Sequence, residues 1–234
     1  MGEARFESER TFTAADTIGV VICRTDQGNL HAGMLYVDEN DIECVLHLGW
    51  EDYLGTDWGS KSGLSHQLWA SPPIDETRLD SIAGLCQLIL ERHKKDRKFP
   101  YALQFLGSHF SEDGRLVVGD GARGLTCATF ILAVFRSFGI DLIDEESWEC
   151  RREEDLKFLL WLSSRPGIAL DHFSILRSEV NKGAKRIQPH EVLQACTQGE
   201  DELPVDFASV QRSSYRLLER LLDRVIADRN SKTR

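Results

Sequence analysis

The chain has 234 residues, 41% hydrophobic and 28% charged, the balance of a globular protein rather than a disordered one. Its 28 Lys and Arg against 38 Asp and Glu leave a formal charge of −10, which repels phosphate backbones and anionic lipid and argues against nucleic acid or membrane as a general partner. No apolar run reaches the roughly 20 residues of a membrane span, no stretch resembles a signal peptide, and the six scattered cysteines form no CxxC pair, so reduced thiols, a cytoplasmic location and no metal site are expected.

In chain order, "DTIGVVICR" (16–24) is rich in β-branched residues and predicts a strand. "NLHAGMLYV" (29–37) and "DIECVLHLGW" (41–50) flank the turn residues "DEN" (38–40) and predict a β-hairpin. "GTDWGSKSG" (55–63) reads as a loop. Asp75 is then placed to cap a helix in which Leu79, Ile82, Leu85, Cys86 and Ile89 recur at helical spacing. The basic run Lys94, Lys95, Arg97 and Lys98 ends that helix, where cations suit the helix dipole, and reads as solvated.

"GRLVVGDGARG" (114–124) predicts a short strand and a glycine-rich loop. The loop resembles a phosphate cradle but lacks the lysine and hydroxyl residue that would follow. The next helix starts near Thr126 and stops at Gly139. Further helices are predicted over 152–164, stopped by Pro166 and Gly167, over 189–196 with Pro189 in the first turn, and over 206–229 with one apolar stripe. The acidic clusters 144–146 and 153–155 sit where helices begin, and acids are favoured there without catalysis. Strands come early and helices late. The expected class is therefore α+β, an antiparallel sheet with packed helices over 1–145 and a helical C-terminal region over 146–234 packed on it.

The helix after the glycine-rich loop carries the candidate chemistry. Cys127, Phe130, Ile131, Val134, Phe135 and Phe138 share one face, so Cys127 points to the core, where a free cysteine packs as a small hydrophobe. Cys127 also lies in the first turn, where unpaired amides lower a thiol pKa. Gly119, Gly121 and Gly124 precede it in a loop whose backbone can approach a substrate. A general base must come within hydrogen-bond reach of such a thiol. With a hairpin loop of three residues at 38–40, His31 stands directly opposite His47 and the two share a face, whereas a loop of two or four would part them. One imidazole then accepts the thiol proton and the other orients it. His93 and His190, at helix ends, read as surface residues.

"LHAGMLYVDENDIECVLHL" resembles the paired-histidine hairpin of the circularly permuted papain-like thiol hydrolases, which include the lecithin:retinol acyltransferase-like enzymes and several bacterial peptidases and amidases. His31, Gly33, Tyr36 and His47 meet that pattern, and "LTCATFIL" resembles the cysteine helix that follows it. The likeness spans roughly residues 17–139. It implies a permuted papain-like fold, Cys127 as nucleophile, His31 as base and His47 as the orienting third member. Thr126 stands where members often carry Asn or another polar residue before the cysteine. The implied activity is hydrolysis of an amide, ester or thioester in a peptide or acyl substrate, without metal or organic cofactor. Trp50 and Trp58 follow His47, and with Gly124 and Thr126 they are expected to line the substrate cleft. Two alternatives remain open: a thiol acyltransferase, and a non-catalytic binding or scaffold protein with Cys127 in its core.

Overall fold

The computed structural model of the chain describes residues 4–6, 11–13, 16–25, 28–49, 53–56, 67–94, 99–164 and 170–232. Strands β1 (Arg5–Phe6), β2 (Ile18–Arg24), β3 (Leu30–Val37), β4 (Glu43–Gly49), β5 (Tyr53–Gly55) and β6 (Leu68–Ala70) form one antiparallel sheet in the order β1-β6-β2-β3-β4-β5. A ribbon of β7 (His109–Phe110) and β8 (Leu116–Val117) stands apart. The helices are α1 (Glu76–Arg92), α2 (Cys127–Arg136), α3 (Arg152–Ser163), α4 (Leu170–Asn181), α5 (Pro189–Ala195) and α6 (Phe207–Lys232). The class is α+β, as the sequence suggests. α4 has no counterpart in the sequence reading, and α6 runs past the end expected at 229.

Strand alternation divides the sheet's side chains between two faces. Ile18, Val20 and Ile22 of β2, Ala32, Met34 and Tyr36 of β3, and Leu46 and Leu48 of β4 join the main core with the buried faces of α1 and α2. Val21, Leu35 and Trp69 face the other way and pack with Phe12, whose ring meets Trp69 edge-on at 5.3 Å. The main core is continuous from Ala4 to Leu221, because α5 packs on β2, β3 and α2 and α6 packs on α5. α1 is capped by Asp75, whose carboxylate accepts the Arg78 N–H at 3.0 Å. α2 ends as expected, with Gly139 in the left-handed region at φ 69° and its N–H on Arg136 O.

The hairpin corrects one expectation. Val37 pairs with Glu43 and Gly33 with His47, so the loop is 39–41, still three residues but one position later than predicted. The cause is Asp38. Its Oδ1 accepts the N–H groups of Asn40 and Ile42 at 2.9 Å, and its own N–H donates to Ile42 O, which holds it in the strand end. Asp41 then takes the left-handed conformation at φ 59°. His47 therefore faces Gly33, and His31 sits diagonal to it. The shift is two positions in register, an even number, so the histidines keep a common face.

A second correction concerns His190. It is 4% exposed rather than on the surface, because the start of α5 is buried against the sheet. Its Nδ1 has no hydrogen-bond partner among the described residues. Burial pulls its pKa down to about 4, which outweighs the upward pull of Glu191. The unfolded imidazole takes a proton below its usual 6.5, while the folded one does so only near 4. The stability this group leaves intact at neutral pH is thus lost as pH falls through that window, by about 3 kcal/mol in full. Urea unfolding at pH 7 and pH 4.5 is expected to show a larger acid loss in the native chain than in His190→Gln. Equal losses would remove His190 as a source of acid lability.

Candidate active site

Cys127 is the first residue of α2, and its mount is built from the segment before it. Thr126 Oγ1 accepts the Thr129 N–H at 3.1 Å, and Thr129 Oγ1 accepts the Thr126 N–H at 2.7 Å, a reciprocal cap that satisfies two amides of the first turn. Leu125 bridges to Tyr101, with its N–H on Pro100 O at 3.0 Å and its O taking the Ala102 N–H at 3.2 Å. Gly124 is buried in this crossing: a Cβ there would lie 2.2 Å from Pro100 O. Gly124 and Thr126 thus support Cys127 structurally, the one by letting the chain cross close under Pro100 and the other as the helix cap. Trp50 and Trp58 lie outside the described residues.

A prediction follows for Gly124→Ala. The added methyl must push two backbone segments apart, and overpacking of this kind costs about 3 kcal/mol. Thermal unfolding is expected to show a melting point lower by roughly 6–12 °C at this chain length. A shift under about 2 °C would mean that the crossing yields easily.

Cys127 is buried, 8% exposed as a residue. Burial pushes its thiol up to about 11, while backbone hydrogen bonding from Ala32, Ala128 and Cys127 and the charge of Arg186 pull the other way. The lowered pKa expected at a helix N-terminus is thus reversed, since desolvation of the charged form outweighs the amides. Arg186 is held by Asp155, 1% exposed, through a 2.6 Å contact to Oδ1, and its guanidinium lies 4.6 Å from the Phe158 ring centre. Tyr101 lies on the same side, its hydroxyl pKa pushed up by burial and by Cys127.

The histidines meet as a pair. His31 Nε2 lies 3.0 Å from His47 Nδ1, with ring centres 5.0 Å apart and planes at 84°. The β3–β4 ladder ends at Gly33 and His47, so His31 stands beyond its last rung. Burial first, then the neighbouring His47, hold the His31 pKa well below the ordinary 6.5, and the imidazole is neutral at pH 7. By alternation His31 and His47 face away from Ala32 and Met34, which pack with α2. His31 nevertheless borders a cavity of about 30 Å³ together with Cys127, Asn29, Leu48, Tyr101 and Trp161. That is space for one water.

The two histidines meet as the sequence predicts, while Tyr101 and the Asp155–Arg186 pair, which act on the surroundings of Cys127, have no place in the sequence-based expectation. Asp155 appears in sequence only as one acid among several at a helix start, and nothing near Arg186 marks it. Among the described residues no group of three or more His, Cys, Asp and Glu side chains is placed to hold a metal, and no helix is long and apolar enough to cross a membrane. Comparison with protein-family models, with curated proteins and with solved structures found no match to this chain.

Proposed function

We propose that this chain is a cysteine-dependent acyl-transfer enzyme of the permuted papain-like kind, cleaving an amide, ester or thioester. The observation that carries the reading is the His31 Nε2–His47 Nδ1 contact at 3.0 Å, made by a histidine that shares a cavity with Cys127. With the His31 Nε2–H donating to His47 Nδ1, an assigned tautomer, His31 Nδ1 is the nitrogen that serves the thiol. The resting pair is a neutral thiol and a neutral imidazole, so the proton moves as the bond forms rather than beforehand. Cys127 Sγ attacks the carbonyl carbon, its proton passes to His31 through the cavity, and the carbonyl electrons shift to oxygen. Collapse expels the leaving group, which takes the proton from His31, and leaves a thioester on Cys127. Water, or another acceptor in a transferase, then releases the acyl group and restores the thiol.

A second reading rests on the burial of the thiol, which pushes its pKa up: a binding or scaffold protein in which Cys127 is core. p-Nitrophenyl acetate separates the two. On the acyl-transfer reading, peptide mass mapping finds the acetyl group on Cys127 of the folded chain. Acetylation of the exposed Cys150 with Cys127 untouched until unfolding would sink that reading and favour the second.

A further inference from the structure

A substrate reaches Cys127 only if the site opens. The cavity that the thiol shares with His31 holds about 30 Å³, against the roughly 300–1,000 Å³ of ligand pockets, and a reacting carbonyl must come within about 3.5 Å of the sulfur. Most of the surrounding wall is fixed by backbone. Leu30 and His31 pair with Arg24 and Cys23, Leu48 pairs with Leu54, and Tyr101 bridges to Leu125. Phe158 and Trp161 of α3 complete the enclosure, and α3 belongs to no ladder. Moving it parts side chains and breaks no strand pairing.

The helix is attached unevenly. Arg151 pairs with Glu191, Arg152 donates to Asn181 Oδ1 at 3.2 Å, Glu154 accepts from Gln188 Nε2 at 3.2 Å, and Asp155 holds Arg186 at 2.6 Å. These anchors lie just before α3 or in its first turn. Phe158 and Trp161 come after them, one turn apart, with rings stacked at 5.9 Å and planes 26° apart. The anchored Arg186 also covers the Phe158 ring at 4.6 Å, so Trp161 is the cavity-lining side chain farther from the anchors. The end of the helix over the thiol rests on apolar packing, with Leu159 and Leu162 buried and Trp161 partly so. Apolar packing is non-directional, and parting it exposes no unpaired carboxylate or guanidinium.

We propose that α3 is a lid over Cys127, pivoting on its anchored first turn so that Trp161 and Phe158 withdraw and admit the substrate to the space they close. The enclosed form is the resting one, and the thiol reacts only when the lid lifts. The purpose of such a lid rests on the acyl-transfer reading of Cys127, but access to the thiol is measurable without catalysis.

Alkylation of the full chain by iodoacetamide, followed at each cysteine by peptide mass mapping, measures that access. Cys86 and Cys196, 0% and 1% exposed, report global unfolding in the same sample. A local opening exposes less surface than unfolding and so responds less to urea. Cys127 is expected to react at least about tenfold faster than both reporters, with a shallower rise as urea is added. In Trp161→Ala the ratio of the Cys127 rate to the reporter rates is expected to rise at least about tenfold further, and the ratio cancels any general loss of stability. Reaction of Cys127 in step with the reporters at every urea concentration would overturn the lid. A ratio unchanged in both Trp161→Ala and Phe158→Ala would overturn α3 as the part that moves. If Trp161→Ala does not fold, the native chain and Phe158→Ala decide. The catalytic reading fails separately: a Cys127 that opens in this way yet takes no acetyl group from p-nitrophenyl acetate sustains the lid and removes the acyl-transfer enzyme.

Discussion

Replacing His31 with alanine is expected to slow acylation of Cys127 by about 10²–10⁴-fold, the usual contribution of a positioned general base. The fold is expected to survive, because His31 lies beyond the last rung of the β3–β4 ladder and alanine keeps the backbone pairing with Cys23 of β2. The measurement is the rate of p-nitrophenolate release from p-nitrophenyl acetate, with circular dichroism to show that the sheet is intact. His47→Ala should cost less, since that imidazole acts on the thiol only through His31. Its signature is a changed pH profile: without the 3.0 Å partner at Nε2, one of the two causes that hold the His31 pKa down is removed and the acid limb moves up. Equal rates in His31→Ala and the native chain would show that the pair has no part in proton transfer.

The largest loss of stability is expected from Glu191→Ala. Glu191 is 1% exposed and binds Arg151 through both carboxylate oxygens, the Nη2–Oε2 contact being 3.0 Å. Its Oε2 also accepts the Gln188 N–H at 2.7 Å and lies 3.4 Å from the Trp148 indole nitrogen. Truncation leaves the largely buried Arg151 cation without its counter-charge and strips the α5 cap at the same time. Breaking one side of such a buried pair costs about 3–5 kcal/mol, a third or more of a typical domain's stability. Urea unfolding should show this as a lower midpoint at unchanged slope. A cost below about 1 kcal/mol would mean that Arg151 reaches water once Glu191 is gone.

Both effects depend on contacts between distant segments, and that limits what the sequence reveals. The hairpin, α1 and α2 are legible because their signals are local: β-branched strands around turn residues, Asp75 and Thr126 as caps, Gly139 as a stop. β1, β5 and β6 span two or three residues, too few for alternation to register. Among the described side chains, α4 offers Leu176 and Val180 as fully buried apolar residues beside the charged Glu179. The histidine pairing is readable from parity, while its register turns on one side chain, Asp38, whose turn propensity marks a turn without fixing at which residue the strand ends. The thiol is misjudged in sign because helix position is local and desolvation is not. Ala32 is 95 residues away in the chain, Arg186 is 59 away, and both act on the same sulfur. His190 is misplaced for the same reason, since nothing in "PHEVLQAC" tells that its first turn is covered.

The 39–41 loop sets a rule for how this hairpin can drift over evolution. Side chains alternate strictly along β3 and β4, so a residue inserted or deleted within either strand, between the tip and its histidine, would turn that histidine to the far face and part the pair. A residue added at the tip itself only lengthens the loop and leaves Gly33 opposite His47. The hairpin is therefore free to change length at its tip but not along its strands, unless a bulge restores the phase.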